Sequence, residues 1–154
     1  PSVGWLELPK FAMISLVLIG TWRWVGYQMV ILLAGLQNIP QELYDAAKVD
    51  GAGYFRVVFK ITLPLLFPVI FFVIVMSVIG SLQLFDEPFI LNLGSTSGGG
   101  PANSMLSVAI YLYQVGFINF KLGYASTMGY LLTILIFLIS IVQIRIMGKK
   151  AGFR

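Results

Sequence analysis

Three long apolar runs dominate the pattern of hydrophobic and polar positions along the chain. They cover residues 11–36, which only Arg23 interrupts with a charge, residues 61–85 and residues 122–144. Each run is long enough for an α-helix to cross a hydrocarbon core of about 30 Å. The pattern therefore predicts an all-α, polytopic membrane protein with three transmembrane helices.

A fourth apolar stretch, residues 105–119, is shorter than the roughly 20 residues that a membrane-spanning helix needs. We predict a re-entrant or interfacial helix there, on the outer side of the membrane. The glycine-rich stretch before it, residues 94–101, is predicted to be a loop. It lacks the lysine that follows the glycines of a phosphate-binding P-loop, so we expect no nucleotide site in it.

Composition agrees with a membrane protein and excludes several kinds of chemistry. Of 154 residues, 58% are hydrophobic and 10% are charged, and the chain has no cysteine and no histidine. An ordinary soluble domain has about 25% charged residues. Disulfide frameworks, thiol nucleophiles and the commonest transition-metal ligands are therefore excluded. Because the chain opens on Pro1 rather than methionine, we interpret it as a piece of a longer protein.

Lysine and arginine are concentrated in the loop 37–60 and in the tail after residue 144. Basic residues accumulate in cytoplasmic loops, so both segments should face the cytoplasm and the connection 86–121 should face outward. Residue 1 would then lie outside and residue 154 inside. These flanks account for the net charge of +4 without a nucleic-acid partner. Contact with lipid phosphates is sufficient to explain the basic tail.

The loop 37–60 is predicted to contain a short helix from Gln41 to Asp50. Asn38 and Gln41 resemble a capping pair, and the glycines after Asp50 stop the helix. A second helix should start near Tyr54 and continue into the second span, so a push on the short helix would reach the membrane. Small apolar residues share one face of the short helix and acids lie beside them: Leu43, Ala46 and Ala47, with Glu42, Asp45 and Asp50. An ordinary solvated loop would explain the charges but not these spacings.

The segment "DAAKVDGAG…ITLPLL" resembles the coupling-loop signature of binding-protein-dependent ABC importer permeases. The matching residues are Asp45, Ala46, Ala47, Gly51, Ile61, Leu63 and Pro64. The segments "LLAGLQNIPQELYDAA", "LFDEPFIL", "GGGP", "IYLYQVGF" and "LGYAS" resemble the carbohydrate-uptake, maltose-type branch of that family. One departure is Asp45, because the signature has a glutamate there and the aspartate side chain is one methylene shorter.

This resemblance implies that the chain is the C-terminal half of a permease transmembrane domain and is not itself an enzyme. The short helix would contact a cytoplasmic ABC ATPase dimer, which would bind ATP and magnesium, and this chain would carry no cofactor. A second permease subunit and an extracellular solute-binding protein that delivers a sugar would complete the assembly. The residues implied at the ATPase contact are Glu42, Leu43, Asp45, Ala46, Ala47, Asp50 and Gly51.

The resemblance also implies a set of residues along the sugar path. They are Gly20, Arg23, Trp24, Tyr27, Gly80, Ser81 and Leu84. An equally good explanation of Arg23 is that its side chain snorkels to the outer interface, beside an aromatic belt, and does not line the path. The small residues of the second span are equally explained by close helix packing. Asp86 and Glu87, at the outer end of the second span, could contact the binding protein or the sugar, but the interpretation we favour is a solvated boundary.

Other functional classes fit less well. The first alternative is an importer permease for a non-sugar solute, such as an amino acid or oxyanion, against which only the resemblance of "FDEPFIL…GGGP" to the carbohydrate branch argues. A secondary transporter or channel has no use for a surface helix shaped to bind an ATPase. An integral membrane enzyme would need a nucleophile, a metal cluster or paired carboxylates at membrane depth, whereas the acids of this chain lie in predicted loops.

Overall fold

A computed structural model describes residues 4–92 and 99–148 of the chain. The stretch 94–98 of the predicted glycine-rich loop and the tail cations Lys149, Lys150 and Arg154 lie outside these residues. The described residues form helices and turns and no strand, which confirms the predicted all-α class. They form two compact units. One joins the chain up to Trp24 to Ser77–Ser140, and the other joins Val25–Met76 to the chain from Ile141 onward.

Seven α-helices occur in the described residues. They are α1 (Pro9–Gln37), α2 (Gln41–Val49), α3 (Tyr54–Val57), α4 (Leu63–Leu82), α5 (Asp86–Leu91), α6 (Val108–Tyr113) and α7 (Leu122–Met147). A π-helical turn, Val58–Thr62, joins α3 to α4, and another, Gln114–Ile118, extends α6.

Three helical segments are long and apolar enough to cross a membrane: Pro9–Gln37, Tyr54–Leu91 and Leu122–Met147. They coincide with the three predicted spans and confirm that part of the prediction. The chain itself buries only 6%, 17% and 0% of the residues in their most apolar windows. Apolar helices with so little cover of their own require lipid or another protein around them.

The connection between α1 and α2 differs from the predicted capping pair. The Asn38 side-chain amide donates to the Ala34 carbonyl at 3.0 Å, so Asn38 satisfies the end of α1 instead of starting α2. Pro40 is the residue before α2 and makes no side-chain capping bond. The α2 helix ends at Val49, one residue before the predicted end.

The helix that continues into the second span begins at Tyr54, as predicted, but it is not uniformly α-helical. Pro64 has no N–H to donate to the carbonyl four residues earlier. In the residue before it, the Leu63 N–H bonds to the carbonyl of Val58, which lies five residues earlier. This spacing of five is that of a π-helical turn. The α4 helix ends at Leu82, before the predicted end of this span at Phe85, whose φ of −129° interrupts the helix ahead of α5.

The predicted helix at 105–119 starts at Val108, three residues later than expected. The Ser107 hydroxyl caps it by accepting from the Ile110 N–H at 3.1 Å. Met105 remains outside the helix because its N–H donates to the Gly99 carbonyl at 2.9 Å. Gly100 has a φ of +73°, and a Cβ there would lie 2.7 Å from the Met105 methyl carbon, so this turn requires a glycine.

Apolar contacts in the first unit hold this connection against α1. Ala12, Leu16 and Met105 form a buried cluster, and Leu84 and Leu91 pack against it. Aromatic rings join α5 and α6: Phe85 stacks on Phe89 with centroids 4.9 Å apart, and both rings meet Tyr113 edge-on. The predicted outward connection therefore contains packed structure that fixes α5 and α6, although its side of the membrane stays a prediction.

Candidate functional site

The short helix α2 carries most of the candidate ATPase-contact residues on exposed positions. Glu42, Leu43, Asp45, Ala46, Asp50 and Gly51 are exposed in the second unit. Ala47 is 6% exposed, so most of its side chain packs within this chain. The remaining six residues give a surface that combines carboxylates with small apolar groups.

Gly51 ends α2 through its backbone conformation. Its φ is +66°, a value that glycine adopts without steric cost. The Gly51 N–H donates to the Lys48 carbonyl at 3.0 Å, and the Ala52 N–H donates to the Ala47 carbonyl at 2.9 Å. This pair of bonds is the Schellman motif, which satisfies the last carbonyls of a helix. Gly51 therefore sets the direction in which the chain leaves α2.

A groove of about 390 Å³ separates α2 from the start of the second span. Leu43, Ala46, Ala47 and Ala52 contribute apolar and small side chains, and the opposite wall includes Arg56, Val57, Lys60 and Ile61, with Asp50 also at the lining. The small residues predicted to form a docking face thus line a groove of this chain. A side chain that filled this groove would contact both α2 and the first turns of the second span.

A side-chain hydrogen bond joins α2 directly to the second span. The hydroxyl oxygens of Tyr44 and Thr62 lie 3.2 Å apart, and Thr62 closes the π-helical turn. No local pattern in the sequence predicts this pair, because the two residues are 18 positions apart in the chain. This bond and the Gly51 turn connect α2 to the start of the second span.

Asp45 is held by its own helix and stays ionised. The Lys48 ammonium donates to Asp45 Oδ1 at 3.0 Å. The hydrogen bond from Lys48, its positive charge and a further hydrogen bond from Gln41 lower the pKa of Asp45 below its ordinary value. The exposed surface of α2 therefore presents a carboxylate of fixed charge at neutral pH.

Six of the seven candidate sugar-path residues fall in the first unit, and Tyr27 falls in the second. Gly20 lies on α1, where a Cβ would meet no atom within 4 Å. The Trp24 ring covers Gly80, and a Cβ at Gly80 would lie 3.6 Å from that ring. The Ser81 hydroxyl donates to the Val78 carbonyl at 2.9 Å. Leu84 packs against the Ala12, Leu16 and Met105 cluster. Their contact with a sugar stays a prediction.

Arg23 makes an ion pair that neither interpretation of the sequence included. Its Nη1 lies 3.1 Å from Glu87 Oε1, and its Nη2 lies 3.4 Å from Asp86 Oδ2. The Glu87 side chain is only 6% exposed, so the interpretation of both acids as a solvated boundary is wrong for Glu87. A single arginine within an apolar span and two acids after another span are the sequence signal that could have found this pair.

The described residues contain no group of three or more histidine, cysteine, aspartate or glutamate side chains that could hold a metal ion. The second unit contains the exposed helix α2, which is hydrogen-bonded to the start of the second span. The first unit contains the ion pairs of Arg23 with Asp86 and Glu87, and the aromatic rings of Phe85 and Phe89 belong to the same segment as these acids.

Comparison with known proteins identifies related chains. The family model described as "Binding-protein-dependent transport system inner membrane component" matches residues 2–151. The lactose transport system permease protein of Rhizobium radiobacter is 40% identical over 142 residues, which cover 92% of this chain and 47% of that protein. The arabinooligosaccharides transport system permease protein of Bacillus subtilis (strain 168) is 36% identical over 149 residues, covering 97% and 46%. The multiple sugar-binding transport system permease protein of Streptococcus mutans serotype c is 34% identical over 138 residues, covering 90% and 46%. The chain spans about half the length of these three relatives.

Proposed function

The chain belongs to the family of binding-protein-dependent transport system inner membrane components, and on that premise we propose that it helps to form the permease of an ATP-driven sugar importer. Its three membrane-length apolar helices make it a multi-pass protein of the cytoplasmic membrane. The relatives named above transport lactose, arabinooligosaccharides or multiple sugars by their names. We therefore propose a sugar or oligosaccharide as the substrate.

The observation that carries this proposal is the exposed helix α2, which Gly51 ends in a left-handed turn. A helix of nine residues with alanine and carboxylate groups on its surface fits a cleft of another protein better than it fits lipid. In the proposed assembly that cleft belongs to a cytoplasmic ABC ATPase dimer. ATP and magnesium bind there, and this chain contributes no cofactor site.

The proposed coupling is mechanical. Closure of the ATPase dimer moves α2, and the Tyr44–Thr62 bond and the Gly51 turn transmit this movement to α4. Because α4 continues from the π-helical turn without a flexible loop, its displacement changes access to the path within the membrane.

Further subunits complete the proposed importer. An extracellular solute-binding protein delivers the sugar to the outward side, and a second permease subunit provides the rest of the enclosure. In this arrangement residue 1 lies outside and residue 154 inside. The aromatic side chains of Trp24 and Tyr27 suit stacking on a sugar ring, while the hydroxyl of Ser81 suits hydrogen bonding to the sugar.

The substitution Asp45→Lys tests the docking surface in the complete transporter. We expect at least about a tenfold loss of ATP-dependent sugar uptake in membrane vesicles, because a positive charge would face the partner group selected to meet a carboxylate. We also expect less ATPase subunit to copurify with the permease. Uptake that proceeds equally well without ATP would contradict the importer assignment.

The double variant D45K/K48D is the matched control for helix stability. It preserves an oppositely charged pair at the same spacing, and an exposed pair of this kind contributes little to the stability of a helix. If docking needs a carboxylate at residue 45, the double variant stays as defective as D45K. Full recovery in the double variant would show that D45K acts only on α2 itself.

A further inference from the structure

Arg23 lies at the middle of the longest helix in the described residues. It is fourteen residues from each end of α1, Pro9–Gln37, or about 21 Å from either end at a rise of 1.5 Å per residue. A guanidinium within an apolar helix of membrane length is costly unless its charge is stabilised. Ionisable residues in such helices commonly pair with an oppositely charged side chain.

The structure supplies two such partners on a single short helix. The two terminal nitrogens of Arg23 face different carboxylates, Glu87 at 3.1 Å and Asp86 at 3.4 Å, in the first turn of α5. The planar guanidinium presents several donors in a fixed fork, which suits simultaneous contact with two acids. The contact therefore fixes the orientation of α5 as well as its distance from α1.

The two carboxylates differ strongly in exposure. The Asp86 side chain is 61% exposed and can be solvated, whereas the Glu87 side chain is 6% exposed. A buried carboxylate without its partner keeps the cost of desolvation and loses the compensating attraction. The buried Glu87 carboxylate consequently needs the Arg23 charge. If a neutral residue replaces Glu87, Arg23 still has Asp86 as its ion-pair partner.

The segment held by this ion pair follows the interruption of the second span. Phe85 separates α4 from α5, and its ring contacts Phe89 and Tyr113. The aromatic contacts fix α5 against α6, and Arg23 fixes it against α1. Without the ion pair, α5 would be held by the apolar contacts of the first unit alone.

From this geometry we propose that Arg23 is a positioning residue, which acts through Glu87 to hold α5 against α1, and that it does not contact the transported sugar. The inference assigns to Arg23 and Glu87 a role that the family resemblance did not give them. It rests on the proposed function only for its transport measurement.

The test compares R23Q, E87Q and the double variant R23Q/E87Q in the complete transporter. For R23Q we expect a maximal uptake rate at least about tenfold lower, with KM within about twofold of the original value. E87Q should lose less, because Arg23 keeps Asp86. R23Q/E87Q should recover much of the loss of R23Q, because no buried charge is left without a partner. K10Q, which neutralises an exposed cation on the same helix, is the control and should match the original protein.

Contact with sugar gives the opposite pattern. In that case R23Q raises KM, and R23Q/E87Q is no better than R23Q because the arginine donors are missing in both. Either result, or an unchanged R23Q, would overturn the inference. If R23Q does not assemble, recovery of assembly in R23Q/E87Q supports the ion pair, and failure of both contradicts it.

Thermal unfolding of the purified variants separates this inference from the proposed function. The same order of stability, with R23Q below R23Q/E87Q, is expected whether or not the transported solute is a sugar. A transporter that takes up no sugar but shows this order would contradict the proposed substrate and support the ion pair. Equal stabilities of R23Q and R23Q/E87Q would contradict the ion pair and leave the substrate assignment unaffected.

Discussion

Replacing Gly51 by valine is expected to abolish most ATP-driven uptake by the complete transporter. Gly51 has a φ of +66°, and a β-branched residue held in that region costs about 1–3 kcal/mol. The chain can avoid this strain only by giving up the two backbone bonds that close α2, from Gly51 to Lys48 and from Ala52 to Ala47. The α2 helix would then leave its position relative to the second span, so we expect uptake to fall at least about tenfold.

Gly53 provides a matched control in the same loop. It is exposed like Gly51, a Cβ there would meet no atom within 4 Å, and its φ of −66° suits any residue. G53V should therefore transport close to the original rate. The measurements are ATP-dependent uptake and the amount of ATPase subunit that copurifies with each variant. Equal activity of G51V and G53V would show that the left-handed turn is not needed for coupling.

The features that follow from local sequence could be predicted. The three spans correspond to apolar runs whose length alone implies a membrane helix, and the structure has long apolar helices at each of them. The stop of α2 at Gly51 follows from the conformational freedom of glycine. The helix that leads into the second span starts at Tyr54, directly after Gly53, as predicted.

The features that were missed depend on a competing local hydrogen bond or on distant contacts. Asn38 has the chemistry of a helix start, but its amide bonds backward to Ala34 because α1 ends there with carbonyls that need donors. Glu87 follows an apolar span, as a solvated boundary would, and only folding brings it to Arg23. The Tyr44–Thr62 bond likewise has no local signature. Pairing between residues this far apart in a single sequence leaves no periodic pattern to read.

Contact between α1 and α4 in the second unit depends on a glycine. Gly35 is buried, and a Cβ there would lie 2.8 Å from Leu66 Cδ1 and 3.0 Å from both methyl carbons of Val69. Leu66 can move its flexible end, but Val69 is β-branched and its side chain has few alternative rotamers in a helix. Small residues allow membrane helices to approach closely in this way. The glycine therefore determines how near the two helices come.

Replacing Gly35 by valine should consequently destabilise the protein by about 1–3 kcal/mol through overpacking. Thermal unfolding of the purified transporter and the fraction that elutes as assembled complex measure this loss. G26V is the matched control, because Gly26 lies on the same helix and a Cβ there would meet no atom within 4 Å. Both variants bear the same cost of valine in a helix, so the difference between them isolates the contact with α4. Equal unfolding temperatures would mean that α1 and α4 do not approach each other closely at Gly35 in the assembled transporter.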